Sequence, residues 1–297
     1  MEASFSKYED VVTKVTRVLA RERGRFGNLR VIGRHVEMEP VGNAVIVGDL
    51  HGDLESLLHI LKNSRIIQRL EKSACVYLIF LGDYGDRGNL STEVIFTVLE
   101  LRLHFPLQVT LMRGNHESPK DLLAYPHDLP RQLQNRFGKD WTQIYRKIFK
   151  MFQNLYTSVR VKDRYLMVHG GVSEQIRTVD DLAFAVKNHP HTVLLQDVLW
   201  SDPTETAEGT YPSPRGAGKL FGKDVTRRVL KALNVHVLIR GHEPCDEGFR
   251  IDHDGKVLTL FSRKGPPYFN SQASYLDIDL SEKIEDARQL IPCIRRF

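Results

Sequence analysis

Several side chains able to do chemistry stand where apolar runs turn abruptly polar. They are Asp49 and His51 in NAVIVGDLHGD (43–53), Asp83, Asp86 and Arg87 in VYLIFLGDYGDRG (76–88), and Asn115 and His116 in LQVTLMRGNHE (107–117). His169 in RYLMVHGG (164–171), and Arg240 and His242 in VHVLIRGHE (235–243), complete the set. Each alone reads as a turn residue or a satisfied polar group. Brought to one sheet edge, they would crowd carboxylates and imidazoles at a density that is costly without cations, which points to metal binding. Asp49 and His51 offer two ligands from one loop, while Asp83, Asn115, His169 and His242 arrive singly. Six ligands exceed what one tetrahedral ion needs, and a carboxylate such as Asp83 can bridge, so two ions are expected. Oxygen and imidazole donors without cysteine suit Mn, Fe or Zn. A metal pair of this kind activates a bridging water and clamps a phosphoryl group for in-line attack. His116 is then placed to protonate a departing alkoxide with Asp86 orienting its ring, and Arg87 to offer a planar fork to phosphate oxygens.

The elements that must carry these residues are short β-rich runs, each closed by a glycine beside Asp, Asn, His or Arg. Helical patterns lie between most of them: Leu54, Leu57, Leu58 and Leu61 after the first, and Val94, Ile95, Val98, Leu99 and Leu101 after the second, behind a Ser91 cap. Gly48, Gly82 and Gly114 recur at about the ~30-residue length of a βαβ unit, so right-handed crossovers should set these strands parallel with their carboxyl ends together. An N-terminal helix over about 5–22 is predicted by Phe5, Tyr8, Val11, Val12, Val15, Val18 and Leu19. A more helical insertion runs from about Pro119 to Tyr156, and the Gly, Pro, Ser and Thr-rich stretch 201–222 reads as a long surface loop leading to a helix near 224–233. Strand-like runs flank Asp254-Gly255, and SYLDIDL (274–280) is a further strand, so C-terminal strands over about 248–280 are expected to form a second sheet packed on the first.

The chain has 297 residues with 41% hydrophobic content, enough for a large core, and is expected to form one domain over 1–297. No window approaches the ~18 apolar residues of a membrane span, and the start MEASFSKYEDVV carries no secretory pattern. Three widely separated cysteines, Cys75, Cys245 and Cys293, argue against a disulfide framework or zinc knuckle, and the expected compartment is the cytoplasm. The net charge of +5 is too small to indicate nucleic acid, and the basic segment 20–30, with one aromatic, reads as a solvated helix end. Neither a coiled coil nor a docking stripe is evident, so a monomer is expected.

GDLHGD, GDYGDRG, RGNHE, HGG and RGH, in this order, resemble the signature blocks of the phosphoprotein phosphatase family within the calcineurin-like metallophosphoesterases, over about residues 43–262. LWSDP (199–203) followed by PRG (214–216) is similar to the family's stretch that supplies a second phosphate-binding arginine, here Arg215. The resemblance implies an α/β fold of two packed mixed sheets flanked by helices. It also implies a serine/threonine phosphatase that attacks phosphomonoesters directly with a hydroxide bridging two metals, manganese foremost in vitro. One metal would take Asp49, His51 and Asp83; the other Asp83, Asn115, His169 and His242. Arg87, Asn115 and Arg215 would bind phosphate, and phosphorylated proteins would be the substrates. Gly85 departs from the family's usual valine. In 261–278 Tyr268 is the counterpart of a substrate-facing tyrosine, while the nearby cysteine is missing. The compact chain resembles archaeal and bacterial members.

Two other readings compete: a dinucleoside polyphosphate hydrolase on the same site, against which Glu117 and LWSDP speak, and a catalytically silent phosphoprotein binder, against which the complete ligand set speaks. GAGKLFG (216–222) lacks P-loop spacing, and Asn89-Leu-Ser reads as a chance sequon. His59, His104, His127, His189 and His191 lack a glycine-flanked strand end and are not expected to be ligands. Glu117 receives no chemical role.

Overall fold

In a computed structural model, which describes residues 3–297, the strands in chain order are β1 (Gly24–Phe26), β2 (Leu29–Ile32), β3 (His35–Met38), β4 (Asn43–Val47), β5 (Val76–Phe80), β6 (Val109–Leu111), β7 (Ser158–Val161) and β8 (Tyr165–Val168). They continue with β9 (Asp202–Pro203), β10 (Thr210–Pro212), β11 (Lys219–Phe221), β12 (Val237–Arg240), β13 (Phe249–Asp252), β14 (Val257–Leu260), β15 (Ser274–Asp279) and β16 (Ile294–Arg296). One sheet has the order β16-β15-β4-β5-β6 and the other β1-β2-β3-β7-β8-β12-β14-β13, with a small β10-β11-β9 sheet beside them. Both large sheets are mixed, as the α/β, two-sheet expectation requires.

In the first sheet β4, β5 and β6 are parallel, with Val47 opposite Phe80 and Phe80 opposite Leu111. Their ends are therefore level, and the polar residues that follow emerge side by side. β4 and β5 are apolar almost throughout because both faces are covered, and Val45, Ile46, Leu78, Ile79 and Phe80 are fully buried. The Leu54–Asn63 and Ser91–His104 helices cross over between them, the first capped by Asp53, whose side chain accepts from Ser56 N. The Phe5–Arg21 helix buries Tyr8, Val11, Val12, Val15 and Leu19, the stripe its spacing predicts, against the Ser91–His104 and Trp141–Phe152 helices. The insertion forms helices Leu129–Phe137 and Trp141–Phe152, the latter burying Ile144, Ile148 and Phe152.

The five glycine-ended strands do not share one sheet edge. β8 and β12, which carry His169 and His242, lie parallel to each other in the second sheet, with Ile239 opposite Met167. The two sheets share one core, in which Ile46 and Leu78 of the first join Val159, Met167, Ile239 and Leu258 of the second, and they meet at the site: Asp49 bridges Phe261, and Gly48 N donates to Ser262 Oγ at 2.7 Å. The C-terminal strands divide between sheets, β13 and β14 joining the second and β15 pairing antiparallel with β4 in the first. The segment 20–30 is a helix end only at its first two residues, where the Phe5–Arg21 helix stops. After that helix β1 and β2 make a hairpin, with β3 extending the hairpin to β7. The expected loop 201–222 folds into the three-stranded sheet, because β11 finds a parallel partner in the two-residue β9. Its pairing is long-range and leaves no periodic trace.

Candidate metal centre and active site

The strand ends are locked together by their own backbones. Leu50 and His51 donate their N–H groups to Asp83 O at 3.0 and 2.8 Å, and Gly52 N donates to Tyr84 O at 2.8 Å. Across the next loop, the buried Glu117 carboxylate accepts from the N–H groups of Asp83 (2.9 Å), Tyr84 (3.0 Å) and Gly114 (2.9 Å). Glu117 thus fastens the turn after β5 to the turn after β6. Burial and the nearby Asp83 charge push its carboxyl up to about 7. Close approach explains two glycines: a Cβ on Gly114 would lie 2.1 Å from Asp83 Oδ1, and one on Gly241 would lie 2.4 Å from Asp49 Oδ1.

Strain gathers at the same place. His51, Asp83, Asp86, Arg87 and His242 have φ of 43°, 55°, 64°, 67° and 72°, in the left-handed region that non-glycine residues occupy at a cost of about 1–3 kcal/mol each. The network of backbone hydrogen bonds holds them there.

Around Asp83 two groups of ligand atoms form. Asp83, His169 and His242 bring atoms within 4.8 Å of one another, as do His51, Asp83 and His116. Asp49 adjoins the second group, with Oδ2 3.7 Å from His51 Nε2, which is itself 3.4 Å from Asp83 Oδ2. His51 Nδ1 donates to Gly85 O at 3.0 Å and His169 Nδ1 to Leu81 O at 3.1 Å, so each ring turns an Nε2 lone pair inward. One amide atom of Asn115 lies 3.0 Å from His169 Nε2, 3.1 Å from His242 Nδ1 and 2.9 Å from Asp83 Oδ2. With nitrogen at that position the amide would donate to the carboxylate. With oxygen there, lone pairs from four residues converge on one space, the arrangement a cation needs.

Other features fit a resident cation pair. Asp49 Oδ2 is buried without a hydrogen-bond partner, while its Oδ1 accepts from His242 N at 2.9 Å. Burial pushes Asp49 up to about 6 and His51 down to about 3, and holds His242 low. Neutral imidazole is the ligand form. His169 goes the other way: burial opposes its charge, but Asp83 outweighs it and lifts the ring to about 9. Asp83 stays well below the usual carboxylate range because, despite burial, His169, His116 and His51 surround it. A divalent cation would take the place of that proton on His169.

Beside this cluster His116 Nδ1 donates to Asp86 Oδ2 at 2.7 Å, and His116 N donates to Asp83 Oδ1 at 3.0 Å. Burial alone would lower His116, but Asp83 and Asp86 raise it. His116, Arg87, Arg215 and Tyr268 all face a cavity of about 830 Å3 that opens over Asp83 and Asn115. Arg87 Nη2 donates to Tyr125 O at 3.2 Å, and Arg215 Nε to Asp202 Oδ2 at 2.6 Å. Asp202 is steadied by the fully buried Arg240, whose Nη2 donates to its Oδ1 at 2.9 Å. Tyr268 stacks on His51 with ring centroids 5.6 Å apart, and Arg263 holds its loop by donating to His51 O at 3.0 Å.

All the residues singled out in sequence therefore lie in or around one cavity. Sequence reasoning missed Glu117, Asp202 and Arg263, and gave Arg240 no role. It also dismissed His127, whose Nδ1 lies 2.8 Å from Asp86 Oδ2. Glu117 and Asp202 stand within recognisable blocks, a signal that could have found them. His127 has none.

Residues 43–246 match the calcineurin-like phosphoesterase family. The chain is 33% identical over 244 residues to the serine/threonine-protein phosphatase 6 catalytic subunit of Caenorhabditis elegans, covering 81% of this chain and 71% of that protein. It is 31% identical over 247 residues to a PP2A-like serine/threonine-protein phosphatase of Saccharomyces cerevisiae, covering 78% and 65%. A probable serine/threonine-protein phosphatase of Encephalitozoon cuniculi is 36% identical over 250 residues, covering 83% of this chain and 52% of that protein. Among solved structures, a serine/threonine phosphatase from Saccharomyces cerevisiae superposes with a TM-score of 0.76 at 23% identity, over 93% of this chain and 83% of that one. Five ordered blocks, two mixed sheets meeting at their polar ends and these likenesses lead to one conclusion: the chain belongs to the calcineurin-like phosphoesterases, in their phosphoprotein phosphatase family.

Proposed function

We propose that the protein is a metal-dependent serine/threonine protein phosphatase that hydrolyses phosphomonoesters of phosphorylated proteins. One observation carries this reading. The ligand cluster around Asp83, the His116–Asp86 pair and two arginines face the same cavity, so a phosphoryl group seated there meets all of them at once. Asp49, His51 and Asp83 would hold one divalent ion, and Asp83, Asn115, His169 and His242 the other. When bound, the two ions would supply charge neutralisation and an activated water.

The chain's own groups do the rest. Arg87 and Arg215 bind the phosphoryl oxygens, joined by the Asn115 amide, and the anchors on Tyr125 O and Asp202 fix where both guanidinium forks point. His116 holds a proton on Nε2, facing the leaving oxygen, while Nδ1 stays on Asp86. As a water oxygen bonds to phosphorus, the ester P–O bond breaks with its electron pair on the serine or threonine oxygen, that oxygen takes the His116 proton, and inorganic phosphate is left. Manganese is the ion taken to support turnover in vitro, the working unit a single-domain monomer, and the compartment the cytoplasm. Among the described residues, no helix is long and apolar enough to cross a membrane.

Asp83→Asn and His116→Asn variants, assayed on a phosphothreonine peptide, test this function. Asp83→Asn should abolish metal-dependent release, and His116→Asn should lower kcat by ~10²–10⁴-fold. Wild-type rates in folded variants, or a preference for diadenosine tetraphosphate over phosphopeptide, would refute it.

A further inference from the structure

The Asp86 carboxylate is shared by two imidazoles. Its Oδ2 lies 2.7 Å from His116 Nδ1 and 2.8 Å from His127 Nδ1, and its Oδ1 accepts from Asp128 N at 2.7 Å and Leu129 N at 2.8 Å. An ionised carboxylate only accepts, so both Nδ1 atoms carry hydrogen. His127 Nε2 in turn lies 3.0 Å from Tyr145 Oη on the Trp141–Phe152 helix. The chain of contacts runs from His116 through Asp86 and His127 to Tyr145, and it places a hydrogen on Nδ1 of both rings.

We propose that His127 is a positioning residue for the leaving-group proton: by occupying the second lone pair of Asp86 Oδ2 it prevents that carboxylate from turning away from His116. Asp86 needs such restraint. Its φ of 64° lies in a region that L residues leave readily, and its backbone N–H is held by the Ser91 hydroxyl alone, at 3.0 Å. With both oxygens saturated, the carboxylate has one orientation, and the His116 ring that leans on it keeps Nε2 aimed into the cavity. His127 adds a side-chain tie between this pair and the helical insertion, whose Asp128 and Leu129 backbone N–H groups already hold the other oxygen of Asp86.

This inference rests on the reading of His116 as the proton donor, and leaving-group dependence separates the two. A serine alkoxide needs a proton to leave, whereas the phenolate of 4-nitrophenyl phosphate needs little help. Relative to wild type, His127→Phe should lower kcat on a phosphoserine peptide by ~10–100-fold, with a loss below about threefold on the nitrophenyl ester and unchanged KM and metal content. Tyr145→Phe should show the same pattern more weakly. His127→Asn, which can still donate to Asp86, should recover most of the peptide rate. Equal losses on both esters, or full peptide activity in His127→Phe, would overturn the proposal. The outcome is separable from failure of the underlying reading: if His116→Asn shows no leaving-group dependence, the proton donor has been misassigned. If His116→Asn discriminates the esters and His127→Phe does not, only the role of His127 falls.

Discussion

Glu117 is where single-atom geometry bears most directly on metal binding. Its carboxylate takes three backbone N–H groups from the two turns that deliver Asp83 and Asn115. Glu117→Gln would turn one acceptor into a donor facing backbone N–H groups. Metal affinity, read by titration calorimetry, should fall by ~10–100-fold while circular dichroism is retained; unchanged affinity would make Glu117 incidental. The arginines predict a different signature. Arg215→Ala should weaken inhibition by inorganic phosphate by about tenfold or more, the cost of one charged hydrogen bond of ~1.5–3 kcal/mol, with metal content unaltered. Among single residues the sequence was legible wherever a functional side chain sat beside a strand-ending glycine, as with Asp49, Asp83, Asn115, His169 and His242. It was silent on His127, because Asp86 and His127 become neighbours only when the insertion folds back over the loop after β5.

Among the elements, the β3–β7 pair carries a titratable group that the site does not use. His35 is fully buried beside its register partner Ser158, with Nδ1 2.8 Å from the Ser158 hydroxyl. Burial and Arg160 push its ring down to about 3, from an ordinary value of 6.5. A depressed folded-state value means that the unfolded chain binds the proton first. The stability due to neutral His35 is therefore complete above pH 6.5 and declines as pH falls toward 3, at up to about 1.4 kcal/mol per pH unit. His35→Leu should flatten the difference in unfolding free energy between pH 6.5 and 4 relative to wild type; parallel profiles would remove His35 as the cause. That pair belongs to a region the sequence misrepresented. A basic, aromatic-poor stretch at 20–30 gave no alternation strong enough to show the hairpin, and β9 is too short to show any period. Strands with continuous apolar runs, such as β4 and β5, were plain. Which sheet β8 and β12 would join was not, because pairing is decided by partners far along the chain.

Over the whole molecule, two sheets that share one core also meet at a site whose charges favour cations. Asp49 and Asp83 come from one sheet and His169 and His242 from the other, so ion binding should also brace the junction. Metal-stripped protein should therefore melt several degrees below the metal-loaded form, as expected for about 2.7 kcal/mol of linkage at a hundredfold excess over Kd. Equal melting temperatures would mean that the ions do not bridge the sheets. If these ions, held by this constellation, drive hydrolysis of a protein phosphomonoester, turnover must follow the metal. Phosphate release from a phosphothreonine peptide by metal-stripped protein, with and without added Mn²⁺, reads that dependence without intermediate steps. Release should be negligible until Mn²⁺ is restored, with turnover thereafter. Release that persists undiminished in the stripped protein, or none with Mn²⁺, Fe²⁺, Co²⁺ or Zn²⁺, would contradict a metal-driven phosphatase.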